Sequence, residues 1–214
     1  MRHSLAMPTK DSLSTKQFVA DQTLEFYDEN AEGYAGMTNA LSMARELEEF
    51  AAMLPGGAKI LDVGCGAGRD LLAFRTAGFD AVGIDLSPAL AAIARGHSAC
   101  EVKVGDFRDL PFTRQSFDGL WAAASLLHLE RKDVAPTLSQ LHNLLVADGA
   151  FFASVKAGHG EETTADGRRF TYFKSDEWLT FLTDAGFREI RIELDQPQPD
   201  GNGHNGWIRS WCRA

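Results

Sequence analysis

The sequence has few residues that could cross-link it or bind a metal. Its three cysteines, Cys65, Cys100 and Cys212, are odd in number and far apart, with no Cys-x-x-Cys pair. This spacing argues against a disulfide framework and matches no zinc-site pattern, so we expect no metal. No apolar run approaches the ~18 residues of a membrane-spanning helix. The first residues also lack the apolar stretch of a secretory signal, so we expect a cytoplasmic protein.

Positive charge is also scarce. The chain has 21 Lys and Arg against 30 Asp and Glu, a formal net charge of −9. Proteins that bind nucleic acid or an anionic membrane normally carry a basic footprint. The densest basic cluster here is Arg168-Arg169, which either binds an anionic substrate or forms a solvated turn. We therefore expect neither nucleic acid nor membrane as a partner.

The remaining composition is that of one globular domain. At 214 residues the chain is long enough to bury a core without staples, and 44% of its residues are hydrophobic and 24% charged. Glycine is somewhat more abundant than usual, with 20 residues. The positions of these glycines therefore carry information.

Hydrophobic periodicity changes along the chain. Residues 41–54 show helical spacing that stops at Pro55-Gly56-Gly57. Five short apolar segments then alternate with helical ones, which predicts a parallel sheet covered on both faces, a doubly wound α/β fold. The last two strands have no helix between them and should pair antiparallel. We expect strands near residues 59–63, 79–84, 101–104, 117–123, 150–155, 187–194 and 207–213, and helices near 16–34, 70–77, 134–146 and 175–185, with Ser87 as the N-cap of another.

The most informative segment is the glycine loop that follows the first predicted strand, Leu-Asp-Val-Gly-Cys-Gly-Ala-Gly-Arg-Asp at residues 61–70. Open α/β sheets bind ligands at this end of their strands. Gly64, Gly66 and Gly68 let a ligand approach the backbone closely. A nicotinamide cofactor would favour Gly-x-Gly-x-x-Gly, but Arg69 stands at the third position. The loop thus suits a nucleoside without a pyrophosphate, and a nicotinamide-dependent oxidoreductase is the less favoured alternative.

Two further acids follow the next strands. Asp85 closes the second strand and could accept hydrogen bonds from both ribose hydroxyls. Asp106 follows the third strand, where it could accept from an exocyclic amine while Phe107 packs on a purine face. Phe107 could equally be a core residue. Together these positions predict a nucleoside site.

In this order and spacing, the motifs resemble those of the class I S-adenosylmethionine-dependent methyltransferases, in the small-molecule branch of type 11 and type 25 domains. The resemblance implies a Rossmann-like seven-stranded sheet of order 3-2-1-4-5-7-6, with the last strand antiparallel. It implies a single methyltransferase domain over residues 1–214, with an N-terminal helical lid and first helix in 1–54. The cofactor-binding core would cover 58–214, with substrate-rim loops at 156–173 and 197–207. The resemblance rests on residues 60–68, 83–87, 105–107, 110–112, 117–118, 126–129, 144–149 and 184–187.

The same resemblance implies S-adenosylmethionine as cofactor, S-adenosylhomocysteine as product, and roles for individual residues. Asp62 would hold the amino group of the cofactor through water, and Tyr27 and Tyr34 would close over cofactor and substrate. His128 and Tyr34 are the catalytic candidates, although either could instead be a packing residue. The expected cofactor-binding residues are Asp62, Gly64, Cys65, Gly66, Gly68, Asp85, Leu86, Asp106, Phe107, Ala123 and Tyr27.

The implied reaction is in-line transfer of a methyl group to a small-molecule acceptor by a monomer or homodimer. The segment after the fourth strand, residues 123–126, reads Ala-Ala-Ser-Leu rather than Asp/Asn-Pro-Pro-Tyr. This argues against nucleic-acid amines and glutamine side chains as acceptors. A general base is needed only if the acceptor must lose a proton. His159 and His204 should flank the mouth of the site, and a cofactor-binding protein without transferase activity remains an alternative.

Overall fold

The computed structural model describes residues 22–195 and 206–214. Seven strands form the main sheet, and two short strands form a separate hairpin. The sheet strands are β1 (Lys59–Val63), β2 (Asp80–Asp85), β3 (Glu101–Val104), β4 (Phe117–Ala123), β5 (Leu145–Lys156), β8 (Arg188–Leu194) and β9 (Trp207–Arg213). The hairpin strands are β6 (Glu161–Thr163) and β7 (Arg169–Thr171).

The order of strands in the sheet is β3-β2-β1-β4-β5-β9-β8. The first five strands in this order are parallel to one another, and β9 runs antiparallel to both β5 and β8. Counting only the strands of the sheet, this is the predicted order 3-2-1-4-5-7-6. The predicted order, the antiparallel last strand and the antiparallel pairing of the two closing strands are therefore confirmed.

Helices cover both faces of the sheet, as expected for a doubly wound fold. The helices are α1 (22–29), α2 (Ala31–Thr38), α3 (Ala44–Ala51), α4 (Arg69–Thr76), α5 (Pro88–Ser98), α6 (Arg131–Leu144) and α7 (Ser175–Asp184), with a 3-10 turn at Leu126–His128. Apolar residues of α3, α4 and α5 pack on one face around Phe50 and Phe74, and those of α6 and α7 pack on the other around Leu138 and Trp178.

The structure differs from the sequence prediction in two places. The hairpin of β6 and β7 was not predicted and lies within the expected rim loop at 156–173. Strand β5 begins at Leu145 rather than at Ala150, because Leu145 already pairs with Phe117 of β4. The predicted end of α6 at Val146 is therefore wrong; the helix ends at Leu144.

Some sequence predictions concern residues outside those described. They include the start of the first helix at residues 16–21, most of the rim loop at 197–207, and His204. Within residues 22–195 and 206–214, no helix is long and apolar enough to cross a membrane.

The sheet positions the glycine loop at the carboxyl ends of β1 and β2. The backbone N–H groups of Gly64 and Cys65 donate to the Ile84 carbonyl at 2.8 and 3.1 Å, which ties the loop to β2. Gly68 has a φ of +85°, and a Cβ there would lie 2.9 Å from the Cα of Ala94 in α5. Gly68 is thus required where α4 begins against α5.

Candidate cofactor and acceptor site

A cleft of about 900 Å³, including its open mouth, lies at the carboxyl ends of β1, β2 and β4. The cleft brings together nine of the thirteen predicted site residues: Tyr27, Tyr34, Gly64, Gly66, Asp85, Leu86, Asp106, Phe107 and His128. The other four, Asp62, Cys65, Gly68 and Ala123, are not part of its lining.

Asp85 is held at the centre of the cleft by the backbone. Its Oδ2 accepts from the N–H of Gly66 at 2.8 Å, and its Oδ1 accepts from the N–H of Ser87 at 3.0 Å. Burial raises the pKa of Asp85, and these two hydrogen bonds oppose the shift. An ionised carboxylate has about four lone-pair positions, so two remain for the hydroxyls of a ligand.

Asp106 lies at the edge of the cleft and is already bound by Arg108. The Arg108 backbone N–H donates to Oδ1 at 2.8 Å, and its guanidinium contacts both carboxylate oxygens. Burial alone would raise the pKa of Asp106, but the hydrogen bonds and charge of Arg108 hold it below its usual value. Asp106 is therefore an ionised acceptor, and Phe107 beside it is partly buried.

Three of the predicted residues outside the lining lie behind the cleft. Asp62 is buried in the middle of the sheet, where burial and then the charge of Asp70 raise its pKa. Cys65 packs against Gly83, at which a Cβ would come within 2.8 Å of its Sγ. Burial raises the pKa of the Cys65 thiol, so this residue has no thiolate character at neutral pH. Ala123 packs into the core, while its neighbour Ala124 lines the cleft.

Ser125 lines the cleft within residues 123–126, the segment after the fourth strand, and the motifs gave it no role of its own. Its Oγ is buried and has no hydrogen-bond partner among the described residues. Gly64 passes so close to it that a Cβ on Gly64 would lie 2.4 Å from the Ser125 Cβ. A buried hydroxyl without a hydrogen-bond partner is unusual in a folded protein.

The helix α1 is fixed over the cleft by Asp28, which the sequence analysis also missed. One of its carboxylate oxygens accepts from Ser87 Oγ at 2.5 Å and from the N–H of Ala89 at 3.1 Å. Ser87 Oγ in turn accepts from the N–H of Leu90, which confirms the predicted N-cap. The lid helix is thus docked onto the N-terminus of α5.

The two lid tyrosines face different parts of the cleft. Their rings meet edge to face with centroids 5.0 Å apart. Tyr34 lies over the glycine loop, with its Cε1 at 3.7 Å from the position a Gly66 Cβ would take. Tyr27 instead places its hydroxyl 2.9 Å from Nε2 of His128. Burial raises the pKa of both tyrosines, so both are neutral at pH 7.

The protonation state of His128 follows from its two hydrogen bonds. Its Nδ1 lies 2.6 Å from the Arg169 carbonyl oxygen, which can only accept, so Nδ1 carries the hydrogen. Burial lowers the pKa of His128 to about 4, so the ring is neutral at pH 7. Nε2 is then an acceptor, and the Tyr27 hydroxyl must donate to it.

The hairpin β6–β7 forms one wall of the cleft together with α1. The N–H of Arg169 donates to Thr23 Oγ1 at 3.0 Å, and the Arg168 guanidinium lies 4.3 Å from the centroid of the Phe26 ring. Arg168 and Arg169 therefore hold the lid helix. His159 lies instead in a separate shallow depression beside Arg131.

The residues of the cleft fit a nucleoside cofactor. Free lone pairs on Asp85 suit ribose hydroxyls, the side-chain-free surfaces of Gly64 and Gly66 admit a ligand chain, and Phe107 offers an aromatic face. These donors and acceptors match the chemistry of S-adenosylmethionine.

The chain is similar in sequence to known methyltransferases. A family model described as "Methyltransferase domain", type 25, matches residues 60–149. A 24-methylenesterol C-methyltransferase 2 from Oryza sativa subsp. japonica is 36% identical over 168 residues, which cover 67% of this chain and 44% of that protein. The chain spans about half the length of the first curated relatives it matches.

Two solved structures show the same fold. An S-adenosylmethionine-dependent methyltransferase from Mesorhizobium loti superposes with a TM-score of 0.68 at 23% identity, covering 80% of this chain and 99% of that one. A Burkholderia thailandensis 1,6-didemethyltoxoflavin-N1-methyltransferase, with 1,6-didemethyltoxoflavin and S-adenosylhomocysteine bound, has a TM-score of 0.74 at 23% identity. That match covers 100% of this chain and 92% of the other.

The strand order and the cleft define a Rossmann-like α/β protein with a cleft at the switch point of its sheet. Within that class, residues 60–149 match the methyltransferase domain, and the fold is that of S-adenosylmethionine-dependent methyltransferases. The resemblance predicted from the motifs, and the cofactor it implied, are confirmed at that level.

Proposed function

We propose that this protein transfers a methyl group from S-adenosylmethionine to a small uncharged molecule. The observation that carries this proposal is the continuity of one cleft. Gly64, Gly66 and Asp85 line its cofactor half, and Tyr27 and His128 line the other half of the same cleft. Donor and acceptor would meet where these halves join.

The cofactor, when bound, supplies a methyl group already activated on a sulfonium. The protein then has to orient the cofactor and the acceptor and to exclude water from them. Asp85 fixes one end of the cofactor through its free lone pairs, and the lid helix α1, docked through Asp28, excludes water. Positioning of two reactants near 3 Å can lower a barrier by several kcal/mol without an acid or base.

The shape and charge of the site support a small acceptor. The half of the cleft beside His128 is bordered by residues of α1, the 3-10 turn and the hairpin, which favours a small molecule over a polymer strand. The net charge of −9 also disfavours nucleic acid. A cytoplasmic location and a monomeric or homodimeric state remain predictions.

Calorimetric titration with S-adenosylhomocysteine tests the cofactor half. We expect Asp85→Asn to weaken binding at least tenfold, corresponding to about 1.4 kcal/mol, because it removes the charged acceptor. Asp80→Asn at the exposed start of the same strand is the matched control and should bind as the wild type does. Binding of NADH but not of S-adenosylhomocysteine would refute the proposal in favour of an oxidoreductase.

Formation of S-adenosylhomocysteine from S-adenosylmethionine across a library of small acceptors tests the transfer step. We expect turnover with at least one acceptor. Tight binding of S-adenosylhomocysteine with no turnover across a broad library would favour a cofactor-binding protein without transferase activity.

A further inference from the structure

The hydrogen bonds around His128 have a fixed direction. The Arg169 carbonyl accepts from Nδ1, and Nε2 accepts from the Tyr27 hydroxyl. The imidazole is flanked by the positive charges of Arg168 and Lys156, which add to the effect of burial in keeping it neutral. The single hydrogen of the Tyr27 hydroxyl is therefore committed to His128 whenever the lid is closed.

This direction decides what Tyr27 can offer to a ligand. A phenol oxygen whose hydrogen is already donated has only lone pairs left, so it is an acceptor. A molecule that lies against Tyr27 must therefore bring its own O–H or N–H. The neighbouring Tyr34 faces the glycine loop, which leaves Tyr27 as the tyrosine beside the 3-10 turn and the hairpin.

The charged side chains at this end of the cleft already have partners. Arg169 pairs with Glu161 at 3.1 Å, and Glu130 pairs with Lys132. Arg168 is bound by Asp166 at 2.7 Å, and its charge and a hydrogen bond with the Tyr27 hydroxyl lower the pKa of Tyr27 against the larger effect of burial. A charged acceptor entering this end would lose hydration without gaining an unpaired opposite charge, which is unfavourable.

We propose that the Tyr27–His128 pair selects the methyl acceptor: an uncharged molecule whose O–H or N–H donates to Tyr27 Oη. In this assignment Tyr27 contacts the acceptor and His128 is a positioning residue, held by Arg169, that fixes the direction of the Tyr27 hydroxyl. The inference rests on the proposed function, because the molecule bound against Tyr27 is taken to be the methyl acceptor. It concerns binding, however, and can be tested without turnover.

The first test compares two probes on the protein saturated with S-adenosylhomocysteine. 2-Naphthol has a donor hydroxyl, and 2-methoxynaphthalene has the same shape without it. Ligand-detected NMR should show that Tyr27→Phe weakens 2-naphthol at least fivefold and leaves 2-methoxynaphthalene unchanged. Tyr172→Phe is the matched control, because the Tyr172 hydroxyl binds Glu162 outside the cleft lining. The anion 2-naphthoate should bind at least fivefold more weakly than 2-naphthol.

Equal affinity of 2-naphthol for wild type and Tyr27→Phe overturns the inference, as does absence of 2-naphthol binding or preference for 2-naphthoate. The saturation step itself separates this failure from that of the proposed function. If S-adenosylhomocysteine does not bind, the proposed function has failed; if it binds and the probes behave otherwise, only the inference has failed.

A second pair of variants tests the positioning role of His128. A Gln side-chain carbonyl can accept from the Tyr27 hydroxyl, whereas a Leu side chain cannot. We therefore expect His128→Gln to keep the affinity for 2-naphthol within about twofold and His128→Leu to lower that affinity at least fivefold. Nitrogen-15 NMR should show the Nδ1–H tautomer of His128 throughout pH 5.5 to 8. The opposite tautomer, protonation near pH 6.5, or unchanged affinity in His128→Leu would overturn the assignment.

Discussion

The contact between the glycine loop and Ser125 makes a quantitative prediction for Gly64→Ala. Gly64 has a φ of +74°, and the new Cβ would lie 2.4 Å from the Ser125 Cβ. That contact cannot relax easily, because Ser125 follows Ala124, whose N–H is bound to Ser154 Oγ at 2.9 Å and whose φ is +55°. Overpacking of this kind typically costs about 1–3 kcal/mol, and a left-handed Ala costs about 1–2 kcal/mol more.

The chain offers a matched control in Gly57, which has the same φ of +74° but no atom within 4 Å of its would-be Cβ. Gly57→Ala should show only the conformational part, about 1–2 kcal/mol. Urea unfolding followed by tryptophan fluorescence should therefore show Gly64→Ala less stable than Gly57→Ala by about 1–3 kcal/mol. Equal losses in the two variants would falsify the close approach of the loop to Ser125.

Two further predictions concern His128 and the lid. The pKa of His128 in the folded protein, about 4, lies below its unfolded value of about 6.5, so the unfolded chain takes up a proton first as pH falls. The stability contributed by His128 is therefore fully present above pH 6.5 and is lost towards pH 4, by about 2 kcal/mol at pH 5 relative to pH 8. Urea unfolding at several pH values should show that His128→Gln removes this pH dependence. The exposed control His97→Gln should retain it. Asp28→Ala removes two hydrogen bonds that dock α1, so amide exchange in residues 22–29 should accelerate severalfold, whereas exposed Glu29→Ala should have no such effect. Unchanged exchange in Asp28→Ala would argue against this docking contact.

The main sheet could be predicted because its signals are local. Strands β1 and β2 are each a short apolar run followed by a turn and a helix, and chirality then restricts the order of strands. The hairpin could not be predicted in this way. All three residues of β6 are exposed, so the strand has no apolar alternation, and its partner β7 has only three residues.

The candidate site could likewise be predicted only where its residues lie at the ends of strands. Asp85 and Gly66 follow strand ends at recognisable spacing, and the structure brings them into hydrogen-bond contact. The Tyr27–His128–Arg169 chain carries no such signal, because its members are separated by 101 and 41 positions and meet only through tertiary folding.

The hairpin wall has a consequence for how acceptor preference can change in this scaffold. Strands β6 and β7 form a two-stranded sheet of their own, joined to the end of β5 through the bridge between Ala157 and Phe173. Residues 159–171 therefore lie outside the ladder of the seven-stranded sheet, and they are tied to the cleft through Arg169, whose N–H donates to Thr23 and whose carbonyl accepts from His128. A substitution in this segment would change the lid helix and the orientation of His128 together, while the ladder of the main sheet stays intact.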